Sequence, residues 1–183
     1  MQGYIIPGII IVMVALLVYT YNNLVSMRNV VDGTWANIDA LLQKRFDLVP
    51  NLVATVKGYL QHEREVLENV TRARTAWQNS SSVNDSANAD QMITGALKTL
   101  FAVSENYPEL KANQNFLMLQ EELTGLESKI AYARQRYNRT VVIYNTAIQR
   151  FPNSLLASPL NFLPKEFFSV ESEQVRKPPQ IEF

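Results

Sequence analysis

The chain has 183 residues, room for one membrane anchor and one domain of ordinary size, and its 17 Lys plus Arg balance 17 Asp plus Glu. That balance leaves no net field to attract nucleic acid, and the absence of cysteine excludes disulfides, zinc–thiolate sites and thiol nucleophiles. A lone histidine and only 6 glycines leave little for histidine-based catalysis or phosphate-cradling loops, and neither G-x-x-x-x-G-K-[ST] nor G-x-G-x-x-G occurs.

Residues 4–21, YIIPGIIIVMVALLVYTY, carry no charge, and the first ionisable side chain is Arg28. As a helix this run spans about 27 Å, close to the roughly 30 Å hydrocarbon core of a bilayer. Tyr4 at one end, and Tyr19 and Tyr21 at the other, suit the two headgroup zones, with Arg28 as the first cation beyond. Pro7 and Gly8 fall in the first turns, where few backbone bonds are lost. A cleaved signal peptide would need a basic residue before the run and a small-residue exit after it, and a soluble core helix would need a polar stripe. The expectation is therefore an uncleaved single-pass anchor over 1–21. Arg28, Lys44 and Arg45 follow the span and none precedes it, so the N-terminus is expected outside the inner membrane and the following domain in the cytoplasm.

Beyond the anchor, Leu24, Met27, Val31, Trp35, Ile38, Leu42, Phe46 and Val49 recur in steps of three or four, one face of a helix continuing out of the membrane. Pro50 ends or kinks that helix. A second apolar stripe runs from Leu52 to about Trp77, and the Ser-, Asn- and Asp-rich stretch 79–90 reads as a polar loop. A shorter helix follows from about Ala89 to Glu105.

The last helix opens at Pro108-Glu109 and runs to Pro152 along a heptad seam of Phe116, Leu119, Leu123, Leu126, Ile130, Ala133, Tyr137, Val141, Tyr144, Ile148 and Phe151. Its expected length is about 65 Å, against about 40 Å for 22–49. If Pro50 makes a hairpin, part of the seam is left for another chain; if it only kinks the helix, the first two stretches can cover the seam internally. From Asn153 the proline-containing tail reads as extended, its apolar groups either strapping the bundle or touching the membrane or a partner. No stretch alternates with a period of two, so the domain over 22–152 is helical.

His62-Glu63 begins like H-E-x-x-H, but Val66 stands where the second histidine would be, so no metal site is expected. Polar residues concentrate at Arg28, Asn29, Asp32, Asn37, Asp39, Arg45, Asp47 and Asn51, and again at Arg134, Arg136, Asn138 and Asn145. They read as interhelical hydrogen bonds and ion pairs that set register, or as a polar interface for a second protomer or a client. No nucleophile–base pair can be assembled, and no cofactor is implied.

The stretch YNNLVSMRNVVDGTWANIDALLQKRFDLVPNLVATVKGYLQHEREVLENVTRAR (21–74), with NYPELKANQNFLMLQEELTGLESKIAYARQRYNRTVVIYNTAIQRFP (106–152) and the closing KPPQIEF, resembles the LemA family. The resemblance implies a bacterial-type protein with an N-terminal anchor and an antiparallel bundle, and it brings no established reaction. Relatives that help form the magnetosome membrane imply membrane organisation, and others encoded near membrane metalloproteases imply an adaptor. The expectation is an all-α, coiled-coil-like bundle of roughly three to four long helices on a transmembrane helix, partnered by the bilayer and by further copies of itself. Its expected role is a non-enzymatic scaffold. The alternatives are an adaptor for a membrane enzyme, with a membrane protein as partner, and a ligand-sensing bundle.

Overall fold

In the computed structural model, which describes residues 5–60 and 62–169, helix α1 runs without interruption over Ile5–Asp47. Pro7 lies in its first turn, and Gly33, a weak helix former beyond the span, is accommodated because the helix face around it, from Leu24 to Phe46, is buried. Ile6 to Val18 stand exposed, a candidate membrane span around which none of the described residues pack closely. From Leu24 on, the face made by Leu24, Val31, Ile38, Leu42 and Phe46 is fully buried.

Pro50 does not reverse the chain. Leu48 keeps helical dihedrals (φ −77°, ψ −20°), and α2 (Val49–Val56) resumes with the proline in its first turn. Proline removes one N–H, while the Leu52 N–H still reaches the Leu48 carbonyl at 3.0 Å, so helical direction carries across the break. The hairpin alternative is therefore overturned, and with it the length argument for a second chain.

The second predicted helix is interrupted. At Gly58, a poor helix former, the chain leaves α2, and the amides of Tyr59 and Leu60 both close on the Val56 carbonyl, at 3.0 and 2.9 Å. Helix α3 then covers Arg64–Gln78. The predicted polar loop 79–90 is mostly helix, because α4 occupies Val83–Ser104. Ser82 caps it, accepting the Asp85 N–H at 3.0 Å while the Asp85 carboxylate accepts the Ser82 N–H at 3.2 Å. That reciprocal box converts residues that favour turns into a helix start. The short 79–82 connection folds α3 back on α4 as an antiparallel hairpin.

The long final helix is also divided. Helix α5 covers only Pro108–Lys111, and Asn113 then caps α6 (Gln114–Gln149) by accepting the Phe116 N–H at 3.1 Å. At about 1.5 Å per residue α6 is roughly 54 Å long. Its seam from Phe116 to Ile148 is buried except for half-buried Leu119, so this one chain covers it; Phe151 lies past the helix and is 80% exposed. The tail is not extended from its start. Helix α7 (Ser154–Ala157) comes first, Asn161 turns the chain in the left-handed region at φ 56°, and residues 163–169 run without regular structure.

Helix makes up 80% of the described residues and no strand forms among them, so the fold is all-α. The chain divides into two compact units. The first joins residues 5–41 to 128–167; there Trp35 meets Tyr137 and Thr34 meets Thr140, an order that makes α1 and α6 antiparallel. The second comprises 42–127 with Phe168 and Ser169, and its core includes Phe46 stacked on Trp77 at 4.9 Å and Phe101 edge-on to Phe116 at 6.1 Å.

Candidate functional site

In the first unit, polar groups converge where α1, α6 and the segment after Phe162 meet. Asn145 on α6 grips the backbone of Lys165 from both sides: its amide donates to the Lys165 carbonyl at 2.9 Å, and its own carbonyl accepts the Lys165 N–H at 2.9 Å. One residue on, the Tyr137 hydroxyl donates to the Glu166 carbonyl at 2.8 Å. The Lys165 ammonium reaches Asp32 on α1 at 2.7 Å. That ion pair is partly solvated and contributes at most about 1 kcal/mol, so the backbone clamp by Asn145 and Tyr137 holds the segment.

Burial pushes the Tyr137 hydroxyl up to about 12, with the Glu166 and Asp32 carboxylates adding to the effect. Tyr144 is also pushed up by burial, Arg28 opposing and Asp32 reinforcing the shift, and its hydroxyl has no hydrogen-bond partner among the described residues. Both phenols are therefore neutral at ordinary pH, and Tyr137 acts as a donor that fixes a backbone. Nearer the span, the Arg28 guanidinium lies 5.0 Å from the centre of the Phe162 ring, which also meets Tyr21 edge-on at 5.9 Å.

In the second unit the guanidinium of Arg45 is buried against Asp90, and Lys44 pairs at the surface with Glu122 at 2.8 Å. His62 is exposed, and Glu63 beside it accepts from the Tyr107 hydroxyl at 3.3 Å. Among the described residues no three His, Asp or Glu side chains gather as a metal-binding group.

Of the polar residues singled out from sequence, Asp32, Arg45 and Asn145 enter these contacts and Asn138 is half-buried. Asn29, Asn37, Asp39, Asp47, Asn51, Arg134 and Arg136 stay on exposed helix surface, where Asn37 and Arg136 line one cleft of about 400 Å³ between α1 and α6. Tyr19 and Tyr21 are exposed at the end of the span, while Tyr4 lies outside the described residues, as does the closing KPPQIEF. Sequence reasoning passed over Tyr137 as a polar residue, because it sits at a seam position and read as core. It also missed Asp90 and Lys165, whose partners lie far along the chain. The Ser82-x-x-Asp85 spacing was the one local signal present in the sequence and not used.

A family model described as the LemA family matches residues 34–183. The chain is 22% identical to magnetosome protein MamQ 2 of Paramagnetospirillum magneticum, an alignment covering 87% of this chain and 68% of that protein. It is 27% identical to protein LemA of Metamycoplasma hominis, covering 76% of this chain and 64% of the relative. A third relative, magnetosome protein MamQ of Magnetospirillum gryphiswaldense, is 20% identical over the same shares as the first. With the match extending over most of its length, the chain belongs to the LemA family.

Proposed function

We propose that this protein is a membrane-anchored, non-enzymatic helical scaffold that self-associates and organises the membrane or the proteins within it. The observation that carries this reading is the continuity of α1: one helix serves as the exposed apolar span and as a buried wall of the helical domain. No linker absorbs motion between the two. An ordered array of domains therefore imposes an order on the spans beneath it. The relatives named as magnetosome proteins give the same direction, since a magnetosome is a membrane-bounded structure. By the distribution of basic residues, the domain lies on the cytoplasmic side with the N-terminus outside.

The test is to purify the full-length chain in mild detergent and to measure particle mass and image it. Homogeneous self-assemblies are expected, and a monodisperse monomer without a partner overturns the scaffold.

A second reading, an adaptor for another membrane protein, is favoured by an open groove of about 330 Å³ between α3 and α4, where Val66, Met92 and Gly95 sit beside Asn69 and Arg72. Such a groove suits a partner side chain or turn. A co-purifying protein at fixed stoichiometry, lost on Gly95→Trp, supports the adaptor over the scaffold.

A further inference from the structure

Residues 151–164, FPNSLLASPLNFLP, carry no ionisable side chain and are bounded by Arg150 and Lys165. This segment forms a hook beyond α6 with several outward-facing apolar side chains. Phe162 and Ala157 turn inward and are buried. Phe151, Leu155 and Leu163 face out with 80%, 65% and 66% of their surface free, and Leu160 joins them. Leaving four such side chains in water forgoes the favourable transfer free energy of their apolar surface. Ser154, Ser158, Asn153 and Asn161 alternate with them, a mixture of polar and apolar groups suited to a headgroup boundary.

Position decides what covers them. The hook belongs to the same compact unit as the span, and its buried Phe162 ring touches Tyr21, the last residue of the charge-free run. With α1 and α6 antiparallel and Thr34 opposite Thr140, Gln149 at the end of α6 is about level with Val25, roughly 6 Å along the axis from Tyr21. The chain then leaves α6 toward the span. Interfacial segments sit about 5–10 Å deep in the headgroup–acyl boundary, which matches this level. Arg150 is exposed at the entrance to the hook, and no carboxylate within it repels anionic lipid.

We propose that residues 151–163 form a second membrane contact, lying in the headgroup–acyl boundary beside the exit of the transmembrane helix, with Phe151, Leu155, Leu160 and Leu163 in the acyl edge and Arg150 against lipid phosphates. The contact rests on reading the N-terminal half of α1 as the span. It would hold the domain to the bilayer at two points, so that the span does not rotate freely about its own axis.

Because the chain lacks cysteine, single cysteines can be placed in the full-length protein without a cysteine-free background. The variants are Leu155→Cys, Leu163→Cys and, as a water-exposed control on the same unit, Gln135→Cys, about level with Asp39 and roughly 27 Å from Tyr21. Each is labelled with an environment-sensitive fluorophore and reconstituted into phosphatidylcholine–phosphatidylglycerol vesicles with or without lipids spin-labelled near the headgroup. Labels at 155 and 163 are expected to emit at shorter wavelength and to be quenched by the shallow spin label, while the label at 135 does neither. Emission at 155 and 163 matching that at 135 overturns the proposal. So does emission that shifts only with protein density and ignores the quencher, which assigns the hook to a second copy. Extraction of the protein by alkaline carbonate overturns the span reading and this contact together, whereas stable incorporation without quenching overturns the contact alone.

Discussion

The guanidinium of Arg45 on α1 lies 2.6 Å from the Asp90 carboxylate on α4, with only 1% of the arginine side chain exposed. Glu127 is the other acid nearby, but at 3.8 Å from Nη2 it is too far for a hydrogen bond, and Nε and Nη2 have no acceptor among the described residues. The arginine is therefore held by one strong partner and is otherwise under-satisfied. Removing one member of such a pair strands a charge, while replacing both with apolar groups of similar volume removes the desolvation penalty as well. Arg45→Ala or Asp90→Ala is expected to cost about 3–5 kcal/mol. Arg45→Met with Asp90→Leu is expected to recover most of that loss, as measured by thermal unfolding of the full chain in detergent. A double variant as unstable as either single one rejects this account.

Asn145 satisfies both backbone groups of Lys165 with one side chain, so its loss leaves an N–H and a C=O to find water. Asn145→Ala is expected to cost about 1–3 kcal/mol locally. Hydrogen exchange at the Lys165 amide should accelerate sharply. Asn145→Asp keeps the acceptor for that amide and should exchange more slowly than the alanine variant, whereas Lys165→Gln, which removes only a solvated ion pair, should barely change it. Equal exchange in the alanine variant and the parent would show that the segment is held elsewhere.

Tyr137 gives the alkaline limb of stability its sign. Its folded value is pushed up to about 12 from an ordinary 10.0, so above pH 10 the unfolded chain releases a proton that the folded chain retains. The unfolded state then binds fewer protons, and stability falls as pH rises. The contribution is intact below pH 10 and is lost toward about 12. Tyr137→Phe should lower stability at neutral pH by removing the bond to the Glu166 carbonyl, yet flatten the decline between pH 10 and 12. Tyr144 and Tyr107, also raised by burial, steepen the same decline. Melting temperatures of the two proteins across that range would cross-check both effects, and parallel curves would count against the assignment.

The cap of α4 can be tested locally. Hydrogen bonds from the Ser82 side chain and from Ser81 hold the Asp85 carboxyl below its ordinary 3.8. With the folded value depressed, this contribution is present above pH 3.8 and is lost as pH falls below it. Ser82→Ala should return Asp85 toward its ordinary value, as read by carboxyl NMR titration, and should fray the first turn of α4. An unshifted titration would mean that Ser81 and the Ser82 backbone N–H set it.

The helical faces were legible because burial is one-sided. Leu24, Val31, Ile38, Leu42 and Phe46 recur at helical spacing, and that spacing survives whatever packs against it. Breaks were harder to see. Gly58 lies inside the apolar stretch from Leu52 to Trp77 and Asn113 just ahead of the Phe116 seam, and propensity alone does not say which weak position yields. The loop at 79–90 was misread because Ser, Asn and Asp serve turns and helix starts alike, and only the spacing of Ser82 to Asp85 separates the two. Long-range polar pairs were not legible at all. Arg45 meets Asp90 because α3 and α4 fold back on each other, and Asn145 meets Lys165 because Asn161 turns the chain; neither path is written in the spacing of α1 or α6.

The continuity of α1 makes the most demanding prediction. Inserting Gly-Ser after Asn23 adds two poor helix formers at the membrane exit, ahead of Leu24, the first fully buried residue of the domain. Even if the helix persisted, two residues would rotate the domain about 200° against the span and move it about 3 Å outward. Incorporation into vesicles depends on the apolar run alone and should be unchanged. Assembly mass in detergent, and ordering of particles in the bilayer, should fall, because the domains no longer dictate the placement of their spans. Substituting Ala-Ala for the inserted pair preserves the helix while imposing the same rotation of about 200°, and so separates stiffness from phase. If both insertions leave the assemblies intact, residues 5–21 are no more than a tether and the coupling of span to domain plays no part in the scaffold.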